Sequence, residues 1–521
     1  MLNITDLVGR NARQYPDQIA FVEVRALSKG RKEITWALFE ERTNRLAHGL
    51  LERGIGKGQK VALLGRNSIS WLEAFFGIMK TGACAIPLSF RFTDEDIRYC
   101  VEIAEPQAFI VDKEYFERIN AIRPALKGVT DFVGIGEDPV SRMVDMEGLI
   151  HGSAAFPPLV EIDDEDDCAL YFTSGTTGAP KAVLHAHRSL MVSAITESTN
   201  HRWASRDINL MMAPLYHLAI GHLLGGVIAG ACNVLLTEQI SPPAIMETVS
   251  RERITMAFLL VPWALDILQA LDKGDLRLGD YDLSNWKLMY MGAQPIPPVL
   301  VKRWKSYFPD MRYDTTYGLS EGGGPGVVRL GMENEHKVGA IGKTGLIWDV
   351  RIVDENGRDV KTWEVGELIV KGSGIMKGYY KNPAATAEAI RSGWLYTGDL
   401  GRMDVDGFIY IVDRKKDLII AGGENIYPIE IEDVIRRHPK VHDVAVIGVP
   451  DPRLGEAVCA VIDPVPGEEL TGDEMALFFN EHLPRYKRPR HTVFGQVPRG
   501  ATGKIEKPKL RAAYTKGILT T

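Results

Sequence analysis

At 521 residues the chain exceeds what one hydrophobic core serves, so two or three domains are expected. Apolar residues at 45% and charged residues at 25% exclude a disordered or fibrous protein. A net charge of −7 excludes a nucleic-acid sleeve or a polybasic membrane anchor, both of which need an excess of Lys and Arg, so any anion site has to be local.

The opening MLNITDLVGRNARQYPDQ alternates charged with apolar residues and lacks the apolar stretch of a secretory signal, while the final KGILTT carries no lipidation or peroxisomal address. A cytoplasmic enzyme is the expectation. Between residues 57 and 88 the pattern predicts a strand over 61–64, a helix over 70–80 and a second apolar strand over 83–87, which is a βαβ unit. Similar short apolar runs at 108–111, 233–236, 256–260 and 287–291 extend an α/β body with largely parallel sheets through the first four hundred residues or so. Five scattered cysteines (Cys84, Cys100, Cys168, Cys232, Cys459) show no C-x-x-C spacing, so buried reduced thiols are expected rather than a disulfide frame or a zinc site. The acid-rich stretch EIDDEDD at 161–167 reads as a solvated rim.

Residues 210–236 contain no Asp, Glu, Lys or Arg and are long enough to span a bilayer. Pro214, His217, His222 and Asn233 argue instead for a loop, a buried helix and then a strand, because polar groups are costly in lipid. Past Gly366, short alternating runs such as GELIVKG and FIYIVD with Gly-Asp and Asp-Gly turns predict antiparallel strands. A fresh unit follows, with a strand over 418–420, a glycine pair, an amphipathic helix over 429–437 and a strand over 444–449. The expected division is 1–413 and 414–521.

The segment YFTSGTTGAPK at 171–181 concentrates small hydroxyls, glycines and one lysine. Such residues suit a phosphate chain: glycines let backbone N–H groups turn inward, and hydroxyls add donors. It is no Walker loop, because Pro180 stands five residues after Gly175 and Ala182 follows Lys181. The segment resembles the phosphate loop of the adenylate-forming superfamily, which includes acyl-CoA synthetases, peptide-synthetase adenylation domains and luciferases. Further motifs of that family stand in family order: MGAQPIP (291–297), TTYGLSE (315–321), YTGDL (396–400), DRKKDLIIAGGENIYPIEIE (413–432) and PRGATGKIEKPKLR (498–511). The resemblance covers nearly the whole chain.

It implies an α/β fold: a large N-terminal domain of packed α/β sheets with a small β-barrel-like part, and a small mobile α+β C-terminal domain hinged near Lys416. It also implies an AMP-forming acid–thiol ligase that uses ATP, Mg2+ and coenzyme A. The nucleotide is expected on Thr173, Ser174, Gly175, Thr176, Thr177, Gly178 and Lys181, on the strip Gly292, Ala293 and Gln294, and on Thr316, Tyr317, Gly318 and Ser320. Asp399 suits the ribose hydroxyls with Arg414 as a second contact, and Glu321 resembles the magnesium ligand. Lys504 resembles the lysine that neutralises charge during adenylation, and His217 a residue that flanks the acyl carboxylate or gates the thiol tunnel, while Lys416, Gly422 and Gly423 resemble residues of the hinge and the thiol step. Two positions depart from the family: Asp413 replaces a frequent glycine and Ala421 a usual serine.

Tyr216, Ile220, Phe258, Trp263, Gly322, Gly323 and Gly324 are expected to line the acyl pocket. Gly318 stands where acetate-specific relatives carry tryptophan, so a deeper cavity is expected. A medium- or long-chain fatty acid is the first expectation, an aryl or alicyclic acid the second. Other readings are an adenylating enzyme that loads a carrier protein and a non-catalytic nucleotide sensor. The partners are small molecules, with no nucleic acid and no integral membrane segment, and a homodimer is compatible.

Overall fold

The computed structural model describes residues 3–136, 143–173, 180–217, 219–294, 296–499 and 504–519. The βαβ unit forms as its sequence dictates. Strand Lys60–Leu64 pairs in parallel with Cys84–Leu88, and helix Ile69–Lys80 crosses between them. That helix starts where Ser68 accepts a hydrogen bond at 3.0 Å from the Trp71 amide, satisfying an otherwise orphaned N–H. It is buried along nearly its whole length, which is why its sequence shows no polar face.

These strands belong to an eight-stranded sheet ordered Gly378–Tyr379, Lys181–Ala186, Asp167–Thr173, Cys84–Leu88, Lys60–Leu64, Ala108–Asp112, Asp131–Ile135, Val144–Asp145. A second sheet of nine strands holds Gly324–Arg329, Arg312–Leu319, Leu288–Met291, Met256–Leu259, Ile208–Met211 and Cys232–Thr237 side by side. Helices His187–His201 and Ile220–Ala229 pack closely on each other and contribute to one large core with residues of both sheets. Close packing is possible because α-carbons at Gly221 and Gly225 face the neighbouring helix: a Cβ at Gly221 would come within 2.5 Å of the Ser193 hydroxyl, and one at Gly225 within 2.8 Å of the Glu197 Cβ.

Residues 210–236 are thus a strand end, a loop, a ten-residue helix and a strand. Leu210 and Met211, where the expected loop began, instead end the strand Ile208–Met211, since three buried residues of four inside a parallel sheet carry no alternation to mark them. Among the described residues, no helix is long and apolar enough to cross a membrane. All five cysteines are free and buried, as expected. The acid-rich stretch is more than a rim: Asp166, Asp167 and Glu165 pair with Lys57, Lys377 and Arg188.

Antiparallel pairing begins earlier than the sequence implied: Ile19–Arg25 pairs with Gly30–Thr35, Asp167–Thr173 with Lys181–Ala186, and Arg312–Leu319 with Gly324–Arg329. The barrel-like part is an antiparallel sheet of Trp348–Val353, Gly366–Gly372, Trp394–Met403, Ile390–Arg391 and Ile409–Arg414. The C-terminal region then builds its own sheet from Ile419–Ala421, Glu424–Ile426, Val441–Asp451, Gly455–Pro464 and His491–Phe494, with its own core around Ile431, Ile435, Val446 and Phe479. Asp413, the departure from the usual glycine, has a structural use. Its buried carboxylate accepts the Ile429 amide at 2.9 Å, at the start of helix Pro428–Ile435, and so ties the last barrel strand to the C-terminal unit.

Ile435 is fully buried in that separate core, and its replacement by alanine removes a buried side chain worth about 2–5 kcal/mol. Amide exchange in the Ile435→Ala variant is expected to accelerate in strands Val441–Asp451 and Gly455–Pro464 and to stay unchanged in Lys60–Leu64. Equal acceleration in both would show that the two cores melt as one.

Candidate active site

Strands Asp167–Thr173 and Lys181–Ala186 form a hairpin in which Thr173 and Lys181 face each other, so both ends of the phosphate-loop segment emerge at one point. Ser174, Gly175, Thr176, Thr177 and Gly178 lie outside the described residues. The Lys181 ammonium sits 4.8 Å from the centre of the Tyr379 ring, and the Tyr379 hydroxyl donates to Glu321 at 2.7 Å. Thus Tyr379 joins the hairpin to the Glu321 carboxylate, and burial together with that carboxylate raises its phenol pKa. Sequence reading passed over Tyr379; its signal was the GYY pair, which lies outside the quoted motifs.

Glu321 lies in a short turn of residues Ser320–Gly322. That turn is pinned from below: the buried His185 ring sits 2.8 Å from the Ser320 carbonyl, and burial lowers the imidazole pKa to about 4, so it stays neutral and donates. One carboxylate facing an open site fits a hard cation whose remaining ligands are phosphate oxygens. Among the described residues, no cluster of His, Cys, Asp and Glu could hold a metal by itself.

Asp399 is 5% exposed and engages both carboxylate oxygens. Tyr317 donates its hydroxyl to one at 2.6 Å and Arg414 approaches the other at 3.0 Å. Asp399 first raises the Arg414 pKa against the cost of burial. The neighbouring strip is equally constrained. A Cβ at Gly292 would come 2.9 Å from the Thr316 carbonyl, Ala293 adopts φ +69°, and the buried Thr316 hydroxyl has no partner among the described residues. Gln294 is reached from the C-terminal unit by Arg499 at 3.3 Å, whose guanidinium also grips Asp443 with two bonds of 2.8 Å. Arg499 stood in the basic motif, where nothing distinguished it from its neighbours.

Lys504 enters the same cleft from the far end of the chain. Protein surrounds it while the cleft leaves it open to water. Burial lowers its ammonium pKa to about 8, with Arg414 and Lys416 acting in the same direction and Asp399 and Glu321 against it. His217 is lowered to about 4, by burial first and then by Lys504, so it is a neutral imidazole throughout the physiological range.

One expectation changes. Gly318 does not deepen the pocket: a Cβ there would come 2.0 Å from the Gly324 carbonyl and 2.7 Å from the Pro325 α-carbon, so the glycine serves the close approach of two strand segments. Gly323 and Gly324 likewise sit at φ +77° and +142°, facing the Gly374 carbonyl and the Ser193 hydroxyl. Gly422 and Gly423, expected to face the site once the small unit has turned, form an exposed two-residue turn between strands Ile419–Ala421 and Glu424–Ile426, at φ +61° and +88°. Lys416 is exposed in the turn that follows Arg414. Of the residues expected to line the acyl pocket, Tyr216, Ile220 and Phe258 are buried, Trp263 is partly so, and Gly322 packs against Leu319.

The chain matches the AMP-binding enzyme family over residues 8–380 and the AMP-binding enzyme C-terminal domain over 430–504. The chain belongs to the AMP-binding enzyme family. It is 32% identical to a feruloyl-CoA synthase of Amycolatopsis, with 94% of this chain and 96% of that one covered. It is 31% identical to a long-chain-fatty-acid–CoA ligase of Mycobacterium tuberculosis, covering 99% and 100%. Its fold superposes on an anthranilate CoA ligase bound to anthranoyl-AMP with a TM-score of 0.90 at 25% identity, over 99% and 98% of the two chains. The AMP-binding enzyme is therefore an AMP-forming carboxylate–CoA ligase, as its motifs implied.

Amine labelling of the nucleotide-free enzyme across pH is expected to give Lys504 a midpoint near 8. Bound ATP brings anionic oxygens that favour the ammonium, so the midpoint has to rise on adding nucleotide. A midpoint that stays above 10 without ATP would contradict the cleft's charge arrangement.

Proposed function

We propose that this ligase activates a compact planar carboxylic acid, with the residues of the described cleft sharing the work. Carboxylate attack on the α-phosphate of ATP brings two anions together, so positioning and charge neutralisation carry the catalysis. Asp399 and Arg414 hold the ribose, with Tyr317 presenting a flat face beside the Gly292–Gln294 strip for the adenine. Lys181 and the hydroxyls of the phosphate loop take the β- and γ-phosphates. Glu321 would hold a magnesium ion, which when bound neutralises phosphate charge. Lys504 approaches the α-phosphate and the acid's carboxylate, and neutral His217 flanks that carboxylate without adding charge.

The observation that carries this reading is electrostatic. Lys504, from the C-terminal end of the chain, senses Asp399, Glu321 and Arg414 together; Asp399 and Glu321 come from different segments of the large domain, and Arg414 stands where the small one begins. The division at 413/414 and a rotation about Lys416 complete the proposal: turning the small unit would withdraw Lys504 and could bring the side-chain-free turn Gly422-Gly423 towards the pantetheine of coenzyme A.

For the acid, the relatives differ in substrate at similar identity, so the lining of the pocket is the better guide. The Phe258 ring stacks on His222 at 4.0 Å, a Cβ at Gly292 would lie 3.7 Å from it, and the adjoining helices are packed without a gap at Gly221 and Gly225. Flat aromatic walls that close at this depth favour an aryl acid over the extended chain that the sequence put first.

Pyrophosphate release measured over aliphatic, aryl and alicyclic acids, with and without coenzyme A, tests the assignment. An aryl acid is expected to give the highest kcat/KM, and a fatty acid in that place would restore the first expectation. Lys504→Ala is expected to slow adenylate formation by about 10²–10³-fold, as loss of one charge-stabilising donor does, and to spare CoA attack on supplied acyl-adenylate. Equal loss in both half-reactions would contradict the role given to Lys504.

A further inference from the structure

Behind Phe258 lies a polar cluster that the nucleotide chemistry leaves unused. Ser193, Glu197 and His201 follow one another at four-residue spacing on helix His187–His201, and all are buried. Glu197 is fully buried and faces His222 of helix Ile220–Ala229, the His222 Nδ1 lying 2.5 Å from its carboxylate.

The Glu197 oxygen beside Nδ1 fixes how the His222 ring presents itself. Nδ1 keeps its hydrogen to donate to the carboxylate, so in the neutral ring Nε2 carries a lone pair. Among the described residues Nε2 has no partner, and the His222 side chain retains 6% of its surface while Glu197 behind it retains none. The ring lies flat on Phe258, a wall of the proposed acyl pocket. Near it, against Gly221, the Ser193 hydroxyl is buried without a partner among the described residues and faces Gly324, one of the glycines assigned to that pocket. Two polar groups without partners, held by a buried carboxylate at the closed end of an otherwise apolar pocket, leave a debt of hydrogen bonding that a substrate can settle.

We propose that His222, oriented by Glu197 and assisted by Ser193, is a specificity-determining residue that accepts a hydrogen bond from a hydroxyl or amino group at the far end of the acid. This rests on the adenylation reading and narrows its substrate class to aryl acids bearing such a donor. Glu197 acts through His222 and is a positioning residue.

The test compares cinnamic acid with its 4-hydroxy and 4-methoxy derivatives as substrates for pyrophosphate release by the full-length enzyme. A site built to bond a hydroxyl rejects the analogue that lacks it, so kcat/KM is expected to favour the hydroxy acid roughly a hundredfold or more over both partners. In His222→Phe, which keeps a ring against Phe258, that ratio is expected to fall towards one. In Glu197→Gln, where the carboxylate no longer dictates the tautomer, the hydroxy-over-methoxy ratio is expected to shrink while melting temperature serves as the check on folding. Equal use of the three acids by the parent enzyme, or a hydroxyl preference that survives His222→Phe, would overturn the inference and leave adenylation standing. Release of pyrophosphate from none of these acids or of the wider panel would overturn the adenylation reading itself, and this inference with it.

Discussion

The Asp399 carboxylate is the junction on which the site depends. Through Tyr317 it holds the end of a strand of the nine-stranded sheet, and through Arg414 it holds the last strand of the antiparallel sheet where the chain leaves for the C-terminal unit. Its own strand, Trp394–Met403, faces Ile409–Arg414 in register, with Asp399 opposite Arg414. A buried carboxylate that loses a partner is expensive, so these elements keep one spacing. The same group lies in the field of Lys504, which means that the geometry of the large domain and the charge brought by the small one are set at one place.

That arrangement solves a problem of like charges. An acid and a triphosphate repel, and a cleft with permanent unpaired cations would bind any anion. Here Arg414 is matched by Asp399 and Lys181 lies over an aromatic ring, while Lys504, held near 8, is the cation most ready to change its charge state. Its ammonium gains stability when an anion arrives, so neutralisation follows ligand binding. Asp413 and Arg499 make the second tie between units, one through a helix amide and the other through Gln294. The Arg499 contact reaches directly from the C-terminal unit to the strip assigned to the adenine.

Much of this was legible in the sequence, for physical reasons. The unit at 60–88 showed itself because a buried helix between two apolar strands leaves a mostly apolar run, interrupted after Lys60 only by the charges of Arg66, Glu73 and Lys80, and the glycine-rich motifs showed themselves because backbone approach to phosphate restricts the residue choice. Other features had no local mark. Ile208–Met211 is a short strand with both faces covered, and periodicity says nothing there. Tyr379 and Arg499 act by reaching across segments, so their neighbours in sequence carry no trace of their contacts. Gly318 shows the opposite hazard: a missing side chain read as room in a pocket is in fact demanded by the Gly324 carbonyl 2.0 Å from where a Cβ would stand. The stripe Ser193, Glu197, His201 passed unnoticed in the sequence, because its meaning needs His222, which is 25 positions from Glu197 along the chain.

The most direct measurement of the central claim is a binding cycle at the Asp399 junction: calorimetric affinity of ATP and of 3′-deoxyATP for the parent enzyme and for Asp399→Asn. A hydrogen bond to a charged group contributes about 1.5–3 kcal/mol, so removing the ribose hydroxyl is predicted to weaken binding to the parent at least tenfold. In Asp399→Asn, ATP is predicted to bind as weakly as the deoxy analogue does, with little further loss between the two nucleotides. Undiminished affinity of the parent for 3′-deoxyATP, together with full losses that add independently in the variant, would contradict the account.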